Sequence, residues 1–183
     1  MFIFFPNFSK PQNVSGKATA TETKVEMKTI NFKDWKLFVD EKLTNETYKK
    51  VEVGGVESCE CDDCKNFANN RENIYPEEFK NLLIALGIDY HKECEVWHYC
   101  KDEFGKHCYN GWFHFKGKFE GENCKVDLQN NISTYNYTPI TENFSIGFLN
   151  ESSLTFFEEK ENLVQVEFDV KTEWTISKDL QTD

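Results

Sequence analysis

A chain of 183 residues, 39% hydrophobic and 15% aromatic with 17 Phe, suits one packed domain with a small appendage and is too aromatic for a disordered chain. Its net charge of −11 excludes a surface built to neutralise phosphates, so nucleic acid is not an expected partner. The longest apolar runs, such as Leu82 to Leu86, fall far short of the ~20 residues that cross a bilayer, so no membrane partner is expected either.

Met1 to Pro6 is apolar but lacks the positive flank of a signal peptide, which points to the cytoplasm. Thiols stay reduced there, and seven cysteines cannot all pair within one chain. The Asn-x-Ser/Thr triplets at Asn45, Asn131, Asn136, Asn143 and Asn150 then read as coincidence in an Asn-rich chain.

Residues 1–26 carry Pro6, Pro11 and Gly16 and read as a flexible arm, residues 27–177 as a single domain, and 178–183 as a frayed tail. Trp35, Phe38, Val39 and Leu43 recur at helical spacing, predicting a short amphipathic helix near 33–43 with Asn31 as its cap. Alternation over 48–53 predicts a strand ended by Gly54-Gly55. A helical turn is expected over 62–70. A second helix opens at Pro76, buries Phe79, Leu82, Leu83 and Leu86, and stops at Gly87.

Beyond that point the pattern is β. Strands are expected at 93–99 and 108–119, joined by a turn containing Gly105, then at 124–128, 144–149, 154–158 and 163–170. Phe113 and Phe115 share one face, and Trp112, His114 and Lys116 the other. In the last strand Val164, Val166, Phe168 and Val170 alternate with Gln165, Glu167 and Asp169, which predicts one buried and one solvated face. Trp174 and Ile176 close the sheet. The fold class is α+β: an antiparallel sheet of about five to seven strands with two helices packed on one face.

Chemistry concentrates in Cys59-Glu-Cys61-Asp-Asp-Cys64. Close cysteine spacing lets one turn present several thiolates to a zinc ion, which is bound tetrahedrally. A fourth ligand is available from Cys94, His98, Cys100, His107 or Cys108 on the 93–108 hairpin. Two readings compete with structural zinc: packed, reduced thiols, since free Cys is often buried, and redox chemistry through Cys61 and Cys64. Asp62 and Asp63 raise nearby thiols, which disfavours a reactive metal-free site. No phosphate loop, His-Glu-x-x-His or Gly-x-Ser-x-Gly motif occurs, so no catalytic residue is assigned.

The ordered set Cys59-x-Cys61-x-x-Cys64-x-Asn66-Phe67, the Pro76 helix ending Leu86-Gly87-Ile88-Asp89, Lys92-x-x-Glu95, Tyr109-x-Gly111-Trp112-Phe113-His114-Phe115 and a final acidic strand closing on Trp174 resembles a bacterial protein family without assigned activity. The resemblance spans about residues 59–176 and implies a single cytosolic domain. Asn66 is expected to cap the chain that follows it. The resulting expectation is a non-enzymatic, macromolecule-binding module with a structural, zinc-competent cysteine turn. One alternative is a metal- or thiol-dependent enzyme using Cys59, Cys61 and Cys64 with a nearby His. The other is an acidic immunity-type protein that neutralises a basic toxin, by analogy of size and charge, so a basic protein is the expected partner.

Overall fold

The computed structural model describes residues 26–128, 132–177 and 179. The arm expected over 1–26, the Asn131 triplet and most of the tail lie outside them. Among the described residues, three helices pack with an antiparallel sheet of seven strands, as the α+β class requires, and no helix is long and apolar enough to cross a membrane.

The first elements correct the expected 33–43 helix. β1 (Lys28–Phe32) and β2 (Trp35–Val39) form a hairpin, with Lys33 in its turn at a φ of 50°. Trp35, Leu37 and Val39 are buried and Lys36 exposed, a period of two. The same stretch also fits helical spacing, and pairing with a distant strand decides between them: β2 adds to the edge of β4 (His107–Glu120) through Leu37 opposite Phe119.

The helix begins later, as α1 (Glu41–Lys50), with Asp40 Oδ1 accepting from the Leu43 N–H at 2.9 Å. Residues 48–50 are therefore helical and 51–53 a loop, not the expected strand. Tyr48 and Thr44 form the buried stripe of α1. α2 (Asp62–Ile74) extends beyond the expected 62–70, and α3 (Glu77–Ala85) follows with Pro76 at its cap. Leu82, Leu83 and Leu86 are buried, and Gly87 at φ 83° lets the Ile88 N–H reach back to Leu83 O at 2.9 Å.

β3 (Glu95–Lys101) and β4 form the expected hairpin, with a register shift between His98 and Cys100. β4 is central. Its other edge pairs with β9 (Leu163–Thr172), which pairs with β8 (Phe144–Leu149), and that strand with β7 (Thr138–Thr141). β5 (Lys125–Asp127) and β6 (Ser133–Tyr135) form a separate ribbon. Residues 154–158 form no strand, and Trp174 and Ile176 lie past the sheet.

β2 and β3 share one edge of β4 and leave a gap between them. Side chains and backbone at α1 fill it: the Tyr48 hydroxyl donates to His114 O (3.1 Å) and accepts from the His114 N–H (3.0 Å), Thr44 Oγ1 accepts from the Lys116 N–H (3.1 Å), and the Asp40 N–H donates to Lys116 O (2.8 Å). Backbone groups that a missing strand would strand without partners are thereby satisfied.

The helical layer covers one face of the sheet, where Phe67, Tyr75 and Phe79 pack on Phe113, Phe144 and Phe168. The opposite face is not solvated as expected. Gln165 and Glu167 are buried, as are Trp112 and His114. Cys124, Tyr137 and Leu154, from the segments flanking β5 and β6 and following β8, lie over that face.

Candidate metal centre

The loop carrying the cysteines is tied down from three sides. The Gly55 N–H donates to Glu93 O at 2.8 Å, and a Cβ at Gly55 would stand 2.8 Å from Cys94 O, so only glycine permits that approach. Arg71, on α2, donates from Nε and Nη2 to the two carboxylate oxygens of fully buried Glu93 at 2.8 and 2.9 Å. Its Nη1 pairs with Glu57 at 2.6 Å, two residues before Cys59, and the Tyr75 hydroxyl donates to Glu93 at 2.8 Å. The loop, α2 and the start of β3 are thus locked together.

Within that frame Cys61 is the N-cap of α2, its Sγ accepting from the Cys64 N–H at 3.4 Å. The Cys59 thiol donates to Cys61 Sγ across 3.3 Å. The Sγ atoms of Cys59, Cys61 and Cys64 all lie within 4.8 Å of one another, a span that can hold a metal ion. Sulfurs sharing one tetrahedral zinc at ~2.3 Å stand about 3.8 Å apart, so the group closes on an ion with shifts of about 1 Å or less.

The three thiols are not equivalent. Cys59 and Cys61 are exposed and Cys64 is buried. Hydrogen bonding to Cys61 lowers the Cys59 pKa, whereas burial, reinforced by the other two sulfurs, holds Cys64 well above the ordinary thiol range. A metal-free triad therefore keeps a proton on Cys64, which a thiophilic cation displaces.

The histidines and remaining cysteines of the hairpin do not join this triad. Cys100 and Cys108 form a disulfide with each other, the register shift bringing their Cα atoms to 5.1 Å, so neither supplies a fourth thiolate and the expectation of seven reduced thiols fails for this pair. His98 and His107 gather instead with Asp63, which the sequence offered only as a perturbing charge. His98 Nε2 lies 3.1 Å from His107 Nδ1, and His98 Nδ1 lies 3.6 Å from Asp63 Oδ1. His107 is buried, and burial with the neighbouring charges of His98 and Lys101 lowers its pKa. An acidic residue in the first turn of a helix facing a two-histidine hairpin is the signal that could have placed Asp63 here.

Cys94 lies elsewhere, beneath α1, with its Sγ 3.5 Å from His114 Nδ1. His114 Nε2 lies 3.1 Å from Gln165 Oε1, a carbonyl oxygen that needs a donor, so the imidazole accepts from the thiol. This order of groups matches a cysteine nucleophile with its base, but both are buried. Burial pushes the Cys94 thiol up to about 12 and His114 down to about 4, so both stay neutral and serve the core. Asn66, expected to cap the following chain, is buried within α2. Its Nδ2 donates to the Tyr109 hydroxyl (3.0 Å) and Glu173 O (3.2 Å), and its Oδ1 accepts from the Thr175 N–H (2.8 Å), which anchors the chain beyond β9.

Comparison with protein-family models, curated proteins and solved structures finds no match to this chain.

Proposed function

We propose that the chain is a non-enzymatic binding module organised by a zinc site, with Cys59, Cys61 and Cys64 as the thiolate ligands. The observation that supports this reading is the convergence of the three sulfurs at the capped N-terminus of α2, on a loop fixed by the Arg71–Glu93–Glu57 ion pairs. A dication offsets the charge of three thiolates beside Asp62 and Asp63 and displaces the proton that burial keeps on Cys64.

A metal-dependent enzyme is the second reading, favoured by one feature: the triad offers three protein ligands, and Cys59 and Cys61 are exposed. Catalytic zinc sites keep such a fourth position for water or substrate, whereas structural ones close it. In the binding-module reading a ligand from a partner closes it, and the net charge of −11 favours a basic protein.

Titrating the metal-free chain with Zn²⁺ against a chromophoric chelator tests the site. Saturable binding that releases protons is expected, and its tight phase is lost when Cys61 and Cys64 are both replaced by Ser. Equal affinity in the double variant would overturn it. Unchanged cobalt(II) absorption on adding small exogenous ligands would speak against the open position that the enzyme reading needs.

A further inference from the structure

We propose a second metal site, separate from the thiols, in which His98 Nε2 and His107 Nδ1 hold a divalent first-row ion and Asp63 positions His98 from behind. The two imidazoles are diagonal neighbours on one face of the β3–β4 pair, His98 lying opposite Tyr109 and His107 opposite Lys101. Their facing nitrogens are 3.1 Å apart. If both ligate at about 2.05 Å, that separation corresponds to an angle at the ion of about 100°, between octahedral and tetrahedral values. The metal takes the place of the proton that the two rings share.

The other nitrogen of His98 faces α2. Its Nδ1 faces Asp63 Oδ1 at 3.6 Å. The carboxylate on that side favours, through its charge, the ring N–H at Nδ1 with the Nε2 lone pair towards His107, and a small closing of the 3.6 Å gap gives the hydrogen bond that orients metal-bound histidines. The rings are also held from their faces: Tyr109 lies 5.2 Å from His98 and Trp174 lies 4.8 Å from His107, centroid to centroid. The Cys100–Cys108 disulfide ties the two strands together beside them. His98 is the open side of the site, its side chain 16% exposed, while His107 is buried. Imidazole nitrogens suit Zn²⁺, Ni²⁺, Co²⁺ or Cu²⁺, whereas the thiolate triad suits Zn²⁺ and softer ions such as Cu⁺, so the two sites overlap at zinc and differ elsewhere.

Cobalt(II) tests this without identifying the native metal. In the full-length chain with Cys59, Cys61 and Cys64 replaced by Ser, cobalt(II) binding should remain saturable, with ligand-field absorption free of sulfur charge transfer. Adding His98→Gln should abolish it, and Asp63→Asn should weaken it by roughly 10- to 100-fold, as loss of an orienting carboxylate does. The thermal melts of the metal-free variants show whether each is folded. If a variant fails to fold, NMR of the native chain with its thiols first filled by one equivalent of zinc decides the matter. Paramagnetic loss of the His98 and His107 ring signals on adding cobalt(II) is expected, and their survival at saturation would overturn the site. Unaltered cobalt(II) affinity in a folded His98→Gln chain would overturn it equally, while leaving the thiol site untouched.

Discussion

Cys61 Sγ accepts the Cys64 N–H at the first turn of α2 while also receiving the Cys59 thiol, so one sulfur joins the helix cap to the metal-competent triad. Replacing it separates the two roles. Cys61→Ser keeps a good capping oxygen and removes a soft ligand. Stability without metal should change by less than about 1 kcal/mol, whereas the rise in melting temperature that zinc gives should shrink. Calorimetric melts with zinc and with chelator measure both effects.

The gap along β4 gives a second prediction. The Tyr48 hydroxyl is the partner of both the N–H and the C=O of His114. Tyr48→Phe removes it and leaves two buried backbone groups to satisfy, at a cost of about 1–3 kcal/mol. Thiol reactivity of Cys59 and Cys61 should not change. Chemical denaturation of the variant, with the thiols titrated in parallel, checks this.

The Arg71–Glu93 pair should behave differently because it fixes the cysteine loop. Arg71→Met leaves the Glu93 carboxylate buried without its cation and frees Glu57. Breaking such a buried pair costs about 3–5 kcal/mol. Zinc affinity should fall with it, since the loop loses its anchor. Loss of stability with unaltered zinc affinity would show that the loop is held by other contacts.

On the covered face of the sheet, Gln165 links His114 to Glu167. Burial lowers His114 to about 4 and raises Glu167 to about 7. The two act on stability with opposite sign. A depressed histidine gives stability that is present above its unfolded pKa of ~6.5 and lost as pH falls towards 4. A raised carboxyl gives stability that is present below its unfolded pKa of ~4.3 and lost as pH rises through 7. The contributions largely cancel between pH 4 and 7, and single substitutions expose them. Glu167→Gln should make the protein lose stability on acidification below pH ~6.5, and His114→Gln should make it lose stability as pH rises towards 7. Urea midpoints across this range provide the test.

Local pattern carried much of the fold. The alternation of Phe113 and Phe115 with Trp112 and His114, the Pro76 to Gly87 helix and the hairpin around Gly105 are each fixed by neighbours in sequence. What escaped it depends on distant chain. Trp35, Leu37 and Val39 belong to a strand because β4 offers an edge, and Gln165 and Glu167 are buried because segments near Cys124 and Leu154 cover them. The thiol triad was legible because all its members fall within one turn. The pairing of Cys100 with Cys108, and the approach of Asp63 to His98, depend on a register shift and a helix placement that spacing alone does not specify.

Metal analysis of protein purified without a metal-affinity tag, with alkylation of its thiols followed by mass spectrometry, tests the zinc site itself. At least about one zinc per chain is expected, with Cys59, Cys61 and Cys64 protected until a chelator is added. Protein that carries no zinc, takes none up, and has Cys59 and Cys61 alkylated equally fast with and without added zinc would contradict it.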